Sequence, residues 1–377
     1  MAKLIVLQDI VWDGTVSRGG QNMFVLQWMR GLERLGHEVV FVDFIGDDFA
    51  EKREAMLRAF DQVVSRWWHP RQTALVVAAT METLYGIDLG QLSRFADSAA
   101  AIFTVSAPHH REPPEPLRNV RPRIMLDSDP AYTHLWVGKG DPMDLFGEHD
   151  LYFTVGGNIG SPRCSVPTWG IHWRPIWFPI VLEWWQAMPL ANDHFTTIAD
   201  WYHQGYIEFE GRFLGPKSEE FPKFIDLPAL TGEELEIVLN ICPDDPDIDK
   251  LRAHGWKIES PDRVRLPEMY RDLVAGSVGE FSCAKGGYAG TQCGWFSDRS
   301  EAFLAAGRPV VLQSTGFEDL LPTGKGLFSA KTVEQAAEAI RAIRADYLLH
   351  SAAAQNIARE YFDSDKILTR MLNEAGV

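Results

Sequence analysis

Apolar positions along the chain change between two periods, and the changes mark out its elements. Residues 3–10 form a nearly unbroken apolar run, the kind buried on both faces of a parallel sheet. A polar, glycine-containing loop follows at 13–20. Phe24, Val25, Trp28, Met29, Leu32 and Leu35 then recur at helical spacing, Gly36 stops the helix, and residues 38–44 (EVVFVDF) return as a strand. This predicts a βαβ unit. Helices at 48–64 and 89–98 and strands at 74–79, 101–105, 123–126 and 151–155 extend the alternation into a doubly wound sheet. Such sheets hold ligands at the carboxyl ends of their strands, where His109, His110, Asp127, Asp129 and Asn158 fall.

Residues 169–189 lose all period and are rich in tryptophan and proline, which predicts a stiff connection between domains. Beyond it the pattern resumes. Strands are expected at 195–200, 236–240, 256–259, 279–282 and 309–312, a hairpin at 206–213, and helices at 218–224, 244–254, 266–275 and 332–344. Two final helices, 347–361 and 366–375, follow the last alternating unit. The expected fold class is therefore α/β, two Rossmann-like doubly wound domains facing a cleft. Their bounds are 1–178 and 186–346, with 347–377 packing back across both.

A length of 377 residues agrees, since it exceeds one ordinary core. With 36 basic against 52 acidic residues the formal charge is −16, which argues against a nucleic-acid or anionic-membrane surface and leaves any anion to be held by local donors. Cys164, Cys242, Cys283 and Cys293 show neither CxxC pairing nor metal-ligand spacing, so a reducing, cytoplasmic setting is expected. Residues 1–9 are too short an apolar run for an export signal, and no stretch is long and uncharged enough to predict integral membrane insertion.

The richest chemistry lies in residues 278–312. Lys285 stands beside Gly286, Gly287 and Gly290, and a Ser-Asp-Arg-Ser opening (297–300) leads into a short helix, Gly307 and a β-branched strand. Small residues admit a ligand close to the backbone, a helix start offers N–H groups, and Lys285 and Arg299 suit phosphate oxygens. A glycine loop cradling a phosphate is the expectation. Neither a metal nor a cofactor is called for; Asp127-Ser128-Asp129 spells a metal-binding pair but follows a strand of the first domain.

The glycine pair of the first loop, the phrase LERLGHEVVFVDF, CGWFS at 293–297, EAFLAAGRPVV at 301–311 and the closing TGFEDLLPTGKGLFSAKTVEQAAEAI together resemble the GT-B glycosyltransferases, of the family 4 and family 1 types. The likeness covers both ends of the chain and little of residues 45–275. It implies an acceptor-side first domain, a nucleotide-sugar-binding second domain, and transfer of a sugar from a nucleotide-diphosphate sugar to a hydroxyl of a small molecule or glycan, without metal and with retention favoured by the glycine pair. It implies Glu301 or Asp298 at the nucleotide ribose, and Lys285, Arg299, Ser300 and loop amides at the diphosphate. Arg212 and Lys217 match the GRxxxxK spacing that grips the same group, Gly316 belongs to the last ligand loop, and Gly19 and Gly20 approach the donor or acceptor. His109 or His110 takes the place of the histidine near the transferred sugar, and Asp13 is the candidate base if the enzyme inverts. A sugar-nucleotide epimerase of the same fold and a non-catalytic sugar-binding protein are the alternatives. Replacing Arg299 by alanine is expected to impair donor turnover with the fold intact.

Overall fold

The computed structural model describes residues 1–7, 19–46, 53–105, 113–186 and 188–377. Its first sheet contains β1 (Lys3–Leu7), β2 (Glu38–Ile45), β3 (Thr73–Val77), β4 (Thr83–Gly86), β5 (Ala101–Val105), β6 (Arg123–Asp127), β7 (Leu151–Thr154) and β8 (Trp173–Pro175), in the spatial order β4-β3-β2-β1-β5-β6-β7-β8. Every pairing is parallel except β3 with β4. The second lobe contributes β9 (Phe195–Asp200), the antiparallel hairpin β10 (Ile207–Phe209) and β11 (Arg212–Leu214), then β12 (Leu235–Asn240), β13 (Trp256–Glu259), β14 (Gly279–Ser282), β15 (Val310–Gln313) and β16 (Leu327–Ala330). Its six-stranded sheet runs β13-β12-β9-β14-β15-β16, parallel throughout.

Both sheets are sandwiched between helices, which is why β5, β6 and β14 are buried at every position and show no polar alternation. Strand order reverses between β1 and β5 and again between β9 and β14, so each sheet opens a crevice at its carboxyl edge there. The loops leaving β1 and β5 carry Asp13, His109 and His110, and these three lie outside the described residues.

The periodicity missed β4 and β8. Both are short edge strands, and β8 ends on Pro175, tolerated because an edge position needs no backbone donor there. The expected connection at 169–189 therefore begins as the last strand of the first sheet. The glycine loop is also different: Gly286–Thr291 is a helix, entered from Lys285 in extended conformation. Its glycines are there for close packing. A Cβ on Gly286 would lie 2.8 Å from the Gly215 nitrogen, one on Gly287 would lie 2.5 Å from the Tyr132 ring, and one on Gly290 would meet Leu214 at 2.6 Å.

A seam of hydrogen bonds joins the lobes. Asn158 donates its backbone N–H to the Cys293 carbonyl (2.9 Å) and its amide nitrogen to the carbonyls of Gln292 and Gly316, both at 3.1 Å. The Tyr132 hydroxyl donates to the Gly215 carbonyl at 3.2 Å and accepts from the Gly287 N–H at 3.1 Å. On the opposite side, Gln27 Oε1 of helix Gly19–Arg34 accepts from the Val181 N–H (3.1 Å) and from the Trp185 indole (2.8 Å). Helix Tyr347–Ile357 packs on Asp298–Ala305 in the second lobe, whereas Ser364–Ala375 returns to Gly19–Arg34 in the first. Close approach at Gly31, where a Cβ would fall 2.4 Å from Leu368 Cδ1, fixes that last crossing. Because Leu368 is fully buried there, Leu368→Ala is expected to lower unfolding free energy by about 2–5 kcal/mol in urea titration.

Candidate functional site

A cavity of about 590 Å³ lies between the carboxyl edges of the two sheets. The first lobe supplies Gly20, Gln21 and Phe24 from its opening helix, Asp127 to Asp129 from the end of β6, and Thr133 and Trp136 from helix Tyr132–Trp136. The second lobe supplies Ile198 and Asp200 at the end of β9, Lys217 just after β11, Lys285 and Tyr288 beyond β14, Tyr270, and Ser297, Asp298 and Arg299 at the start of a helix. Polar groups thus gather where a parallel α/β fold leaves its strand ends unfilled.

Three cations of the second lobe face this space, and their neutralisation differs. Arg299 sits one residue into helix Asp298–Ala305, whose cap, Ser297 Oγ, accepts from the Arg299 N–H. Its guanidinium is occupied from behind: Nε donates to fully buried Glu280, Nη1 to the Ile198 carbonyl (2.9 Å) and Nη2 to Ser282 Oγ (2.7 Å). Lys285 reaches across the cleft to Asp129 (3.5 Å) and lies over the rings of Tyr132 and Tyr288 at 5.4 and 5.5 Å. Burial lowers the Lys285 pKa against the opposing pull of Asp129. Burial also pushes the Asp129 carboxyl up, but Lys285, a hydrogen bond from the Tyr288 hydroxyl and nearby His203 outweigh it, holding the group below its ordinary value. The surface that Asp129 keeps accessible faces the cavity.

Lys217 is the exception. Its side chain is buried, and among the described residues no carboxylate lies within ion-pair distance of its ammonium. Burial and the neighbouring Arg299 charge depress its pKa from the usual lysine value to about 7. The nearby Glu280 carboxylate opposes that depression but is paired with Arg299, so an anion in the cavity would add the counter-charge that Lys217 does not hold as an ion pair among the described residues.

No family model matches this chain, and no curated protein is similar to it in sequence. Solved structures do match. HepE of Anabaena in complex with UDP and glucose superposes with a TM-score of 0.61 at 14% identity over 99% of both chains. An α-glucosyltransferase bound to UDP and a 13-mer DNA gives 0.57 at 11% identity over 100% of each chain, and AviGT4, a glycosyltransferase involved in avilamycin A biosynthesis, gives 0.54 at 12% over 100% of this chain and 97% of its own. The fold is that of the GT-B glycosyltransferases.

Within this GT-B frame the expected residues separate. Gly20, Lys217, Lys285, Asp298 and Arg299 line one cavity. Gly19 does not; it opens its helix against the second lobe, where a Cβ would fall 2.4 Å from the Leu266 carbonyl oxygen. Ser300 and Glu301 are fully buried behind the cavity wall, because successive helical residues turn by about 100° and only Asp298 and Arg299 face outward. Burial, with Asp298 adding and only a backbone hydrogen bond from Phe178 opposing, holds the Glu301 carboxyl well above the ordinary range. Of the two acids weighed for the ribose, Asp298 is the one that touches the cavity; burial raises its carboxyl too, and Arg299 opposes that.

Gly316, at φ +89°, is spent on the seam, where its carbonyl receives Asn158 and its missing Cβ leaves room for the Asn158 amide. The loop amides expected at the diphosphate are engaged, Gly286 N–H with the Gly215 carbonyl and Gly287 N–H with Tyr132. Arg212 lies out on the hairpin and donates to the Gly290 carbonyl. The periodicity overlooked Tyr288, which stacks on Trp295 at 4.3 Å and 15°, and Trp136, Asp200 and His203. Tyr288 carries one legible signal, since an aromatic directly after paired glycines is poor loop chemistry and good packing chemistry.

The pairing of Arg299 with Glu280 corrects the expected effect of its removal. Arg299→Ala strands a fully buried carboxylate, so a loss of about 3–5 kcal/mol is expected in denaturant titration, with the double substitution Glu280→Gln/Arg299→Met recovering part of it.

Proposed function

We propose that this chain is a glycosyltransferase that moves a sugar from a nucleoside-diphosphate sugar to a hydroxyl acceptor, without a metal ion. The observation that carries the reading is Lys217: a buried ammonium with no carboxylate at ion-pair distance among the described residues, at the strand-end cavity of a GT-B fold, beside two further cations that are already paired. Glycosyl transfer builds positive charge at the anomeric carbon and negative charge on the departing diphosphate. A preorganised ammonium in a dry cavity stabilises that leaving group, which is the task a divalent cation performs elsewhere. Lys217 is the primary grip. Lys285 joins it when a phosphate competes with Asp129, and Arg299, fixed by Glu280, contributes field more than direct hydrogen bonds.

UDP and UDP-glucose in the HepE complexes and UDP in the α-glucosyltransferase complex support a nucleoside-diphosphate donor. Asp298 is the candidate for the ribose hydroxyls, and the first-lobe wall from Asp127 to Trp136 is the acceptor side. Retention rests on the glycine pair Gly19-Gly20 alone, and the anomeric configuration of the first product by NMR decides it. A formal charge of −16 supports an acceptor other than nucleic acid. Among the described residues no helix is long and apolar enough to cross a membrane.

Incubation with UDP-, GDP- and dTDP-sugars tests the reading. One of them, at about 100 times its Kd, is expected to add about 2.7 kcal/mol of stability and to turn over in the presence of EDTA; protection by none overturns it. Lys217→Met is expected to weaken nucleotide-sugar binding about 10- to 100-fold, the scale of a lost charge-assisted hydrogen bond.

The pH dependence follows from the same group. With a free-protein pKa of about 7, Lys217 is mostly charged at pH 6 and mostly neutral at pH 8. Nucleotide-sugar affinity is therefore expected to be highest below pH 7 and to fall as pH rises through it, with proton uptake on binding at pH 8. Calorimetry in buffers of different ionisation enthalpy measures that uptake, and Lys217→Met is expected to abolish it.

A further inference from the structure

Tyr270 carries a polar group that the fold leaves unused. Its side chain, on helix Pro267–Gly276, is 4% exposed and lines the cavity between the lobes. Among the described residues its hydroxyl makes no hydrogen bond. The charges that act on that hydroxyl are Asp298, Arg299 and Glu280, so the oxygen lies beside the Asp298-Arg299 start of the cavity-lining helix. A buried hydroxyl without a partner costs stability, and a phenylalanine would fill the same space without that cost. A ligand group in the cavity is the partner that restores the balance.

The ring is seated from both sides of the cleft. Against it lies Gly20 of the first lobe, where a Cβ would fall 2.9 Å from Tyr270 Cε2 and 3.3 Å from Cδ2. Trp185 meets it edge to face, with ring centroids 6.1 Å apart at 86°, and the Trp185 indole is itself fixed by its bond to Gln27 Oε1 at 2.8 Å. The backbone of Tyr270 is tied into its helix through the Leu266 carbonyl at 2.9 Å. A ring held in this way keeps its hydroxyl in one place before any ligand arrives, which lowers the entropy cost of using it.

Arg299 acts on both the Tyr270 hydroxyl and the Lys217 ammonium, so both lie around one guanidinium. Of the carboxylates at this wall, Glu280 is committed to Arg299, and burial raises the Asp298 carboxyl against the opposing pull of Arg299. Tyr270 stays protonated, since burial, with Asp298 and Glu280 adding and Arg299 opposing, raises its pKa well above the ordinary value. It is therefore a neutral donor, and phosphate oxygens are acceptors. Building on the transferase reading, we propose that Tyr270 is a binding residue for the diphosphate of the nucleotide sugar: its hydroxyl donates a hydrogen bond to a phosphate oxygen, alongside Lys217. Gly20 is small because the Tyr270 ring occupies the place of its side chain.

Titration of the full chain with UDP, GDP and dTDP, and with the nucleoside of whichever binds, tests this. Tyr270→Phe is expected to unfold in urea at or above the parent midpoint, because no bond within the protein is lost. It is expected to bind the nucleoside diphosphate about 10- to 100-fold more weakly, the scale of a hydrogen bond to a charged group, and to bind the nucleoside as the parent does. Gly20→Ala, which displaces the ring, is expected to weaken the nucleoside diphosphate too and to add little to Tyr270→Phe. Parent-level affinity of Tyr270→Phe for the nucleoside diphosphate, an equal loss for the nucleoside, or a fall in stability of the ligand-free variant overturns the proposal. A silent Gly20→Ala, or full additivity of the two substitutions, overturns the seating of the ring by Gly20. If a nucleoside diphosphate binds the parent in those cases, the Tyr270 assignment falls alone; if none binds, the transferase reading falls with it.

Discussion

Burying positive charge without a matching negative group is the constraint on which this site depends. The second lobe places Lys217, Lys285 and Arg299 around one cavity, and among the described residues two of them, Lys285 and Arg299, are ion-paired with carboxylates. Arg299 is held by Glu280 within its own lobe, so it is a fixed part of the wall. Lys285 is held by Asp129 from the other lobe, a longer contact that an incoming anion can exchange. Among the described residues Lys217 has neither, and burial together with the Arg299 charge depresses its pKa. On the reading proposed above, one buried pair supplies rigidity, one pair is exchangeable, and Lys217 is left to meet the diphosphate. None of this needs a basic surface, so the reading is compatible with a net charge of −16.

The three cations share one cavity only because the lobes are held face to face. Asn158 and Tyr132 do this with side chains that bond to backbone, which fixes position irrespective of the neighbouring side chains. The glycines of 286–290, at first sight a phosphate cradle, serve the same purpose, letting a short helix press against Tyr132 and Leu214. Tyr288 and Lys285 are thereby turned towards the cleft. Packing at the seam and chemistry in the cavity are carried by adjacent residues of one short segment.

Architecture was legible because parallel strands covered on both sides spell themselves as apolar runs; β5 and β14 fall where periodicity put them. Edge strands were not, since β4 and β8 have too few covered positions to make a pattern. Site residues were legible by type and not by direction. Sequence can nominate Ser300 and Glu301 beside Asp298 and Arg299, but a turn of about 100° per residue decides which pair faces the ligand, and that depends on how the helix is seated. Arg299 was visible as a cation, while its partner Glu280, nineteen positions away on β14, was not.

The crossing of helix Ser364–Ala375 onto Gly19–Arg34 also sets an order of events during synthesis. Helix Gly19–Arg34 keeps the patch around Gly31 bare until Ser364–Ala375 has been made, roughly tens of seconds later at ordinary elongation rates. Through that interval the nascent first lobe has an open hydrophobic flank, and the arrival of Ser364–Ala375 is what closes it.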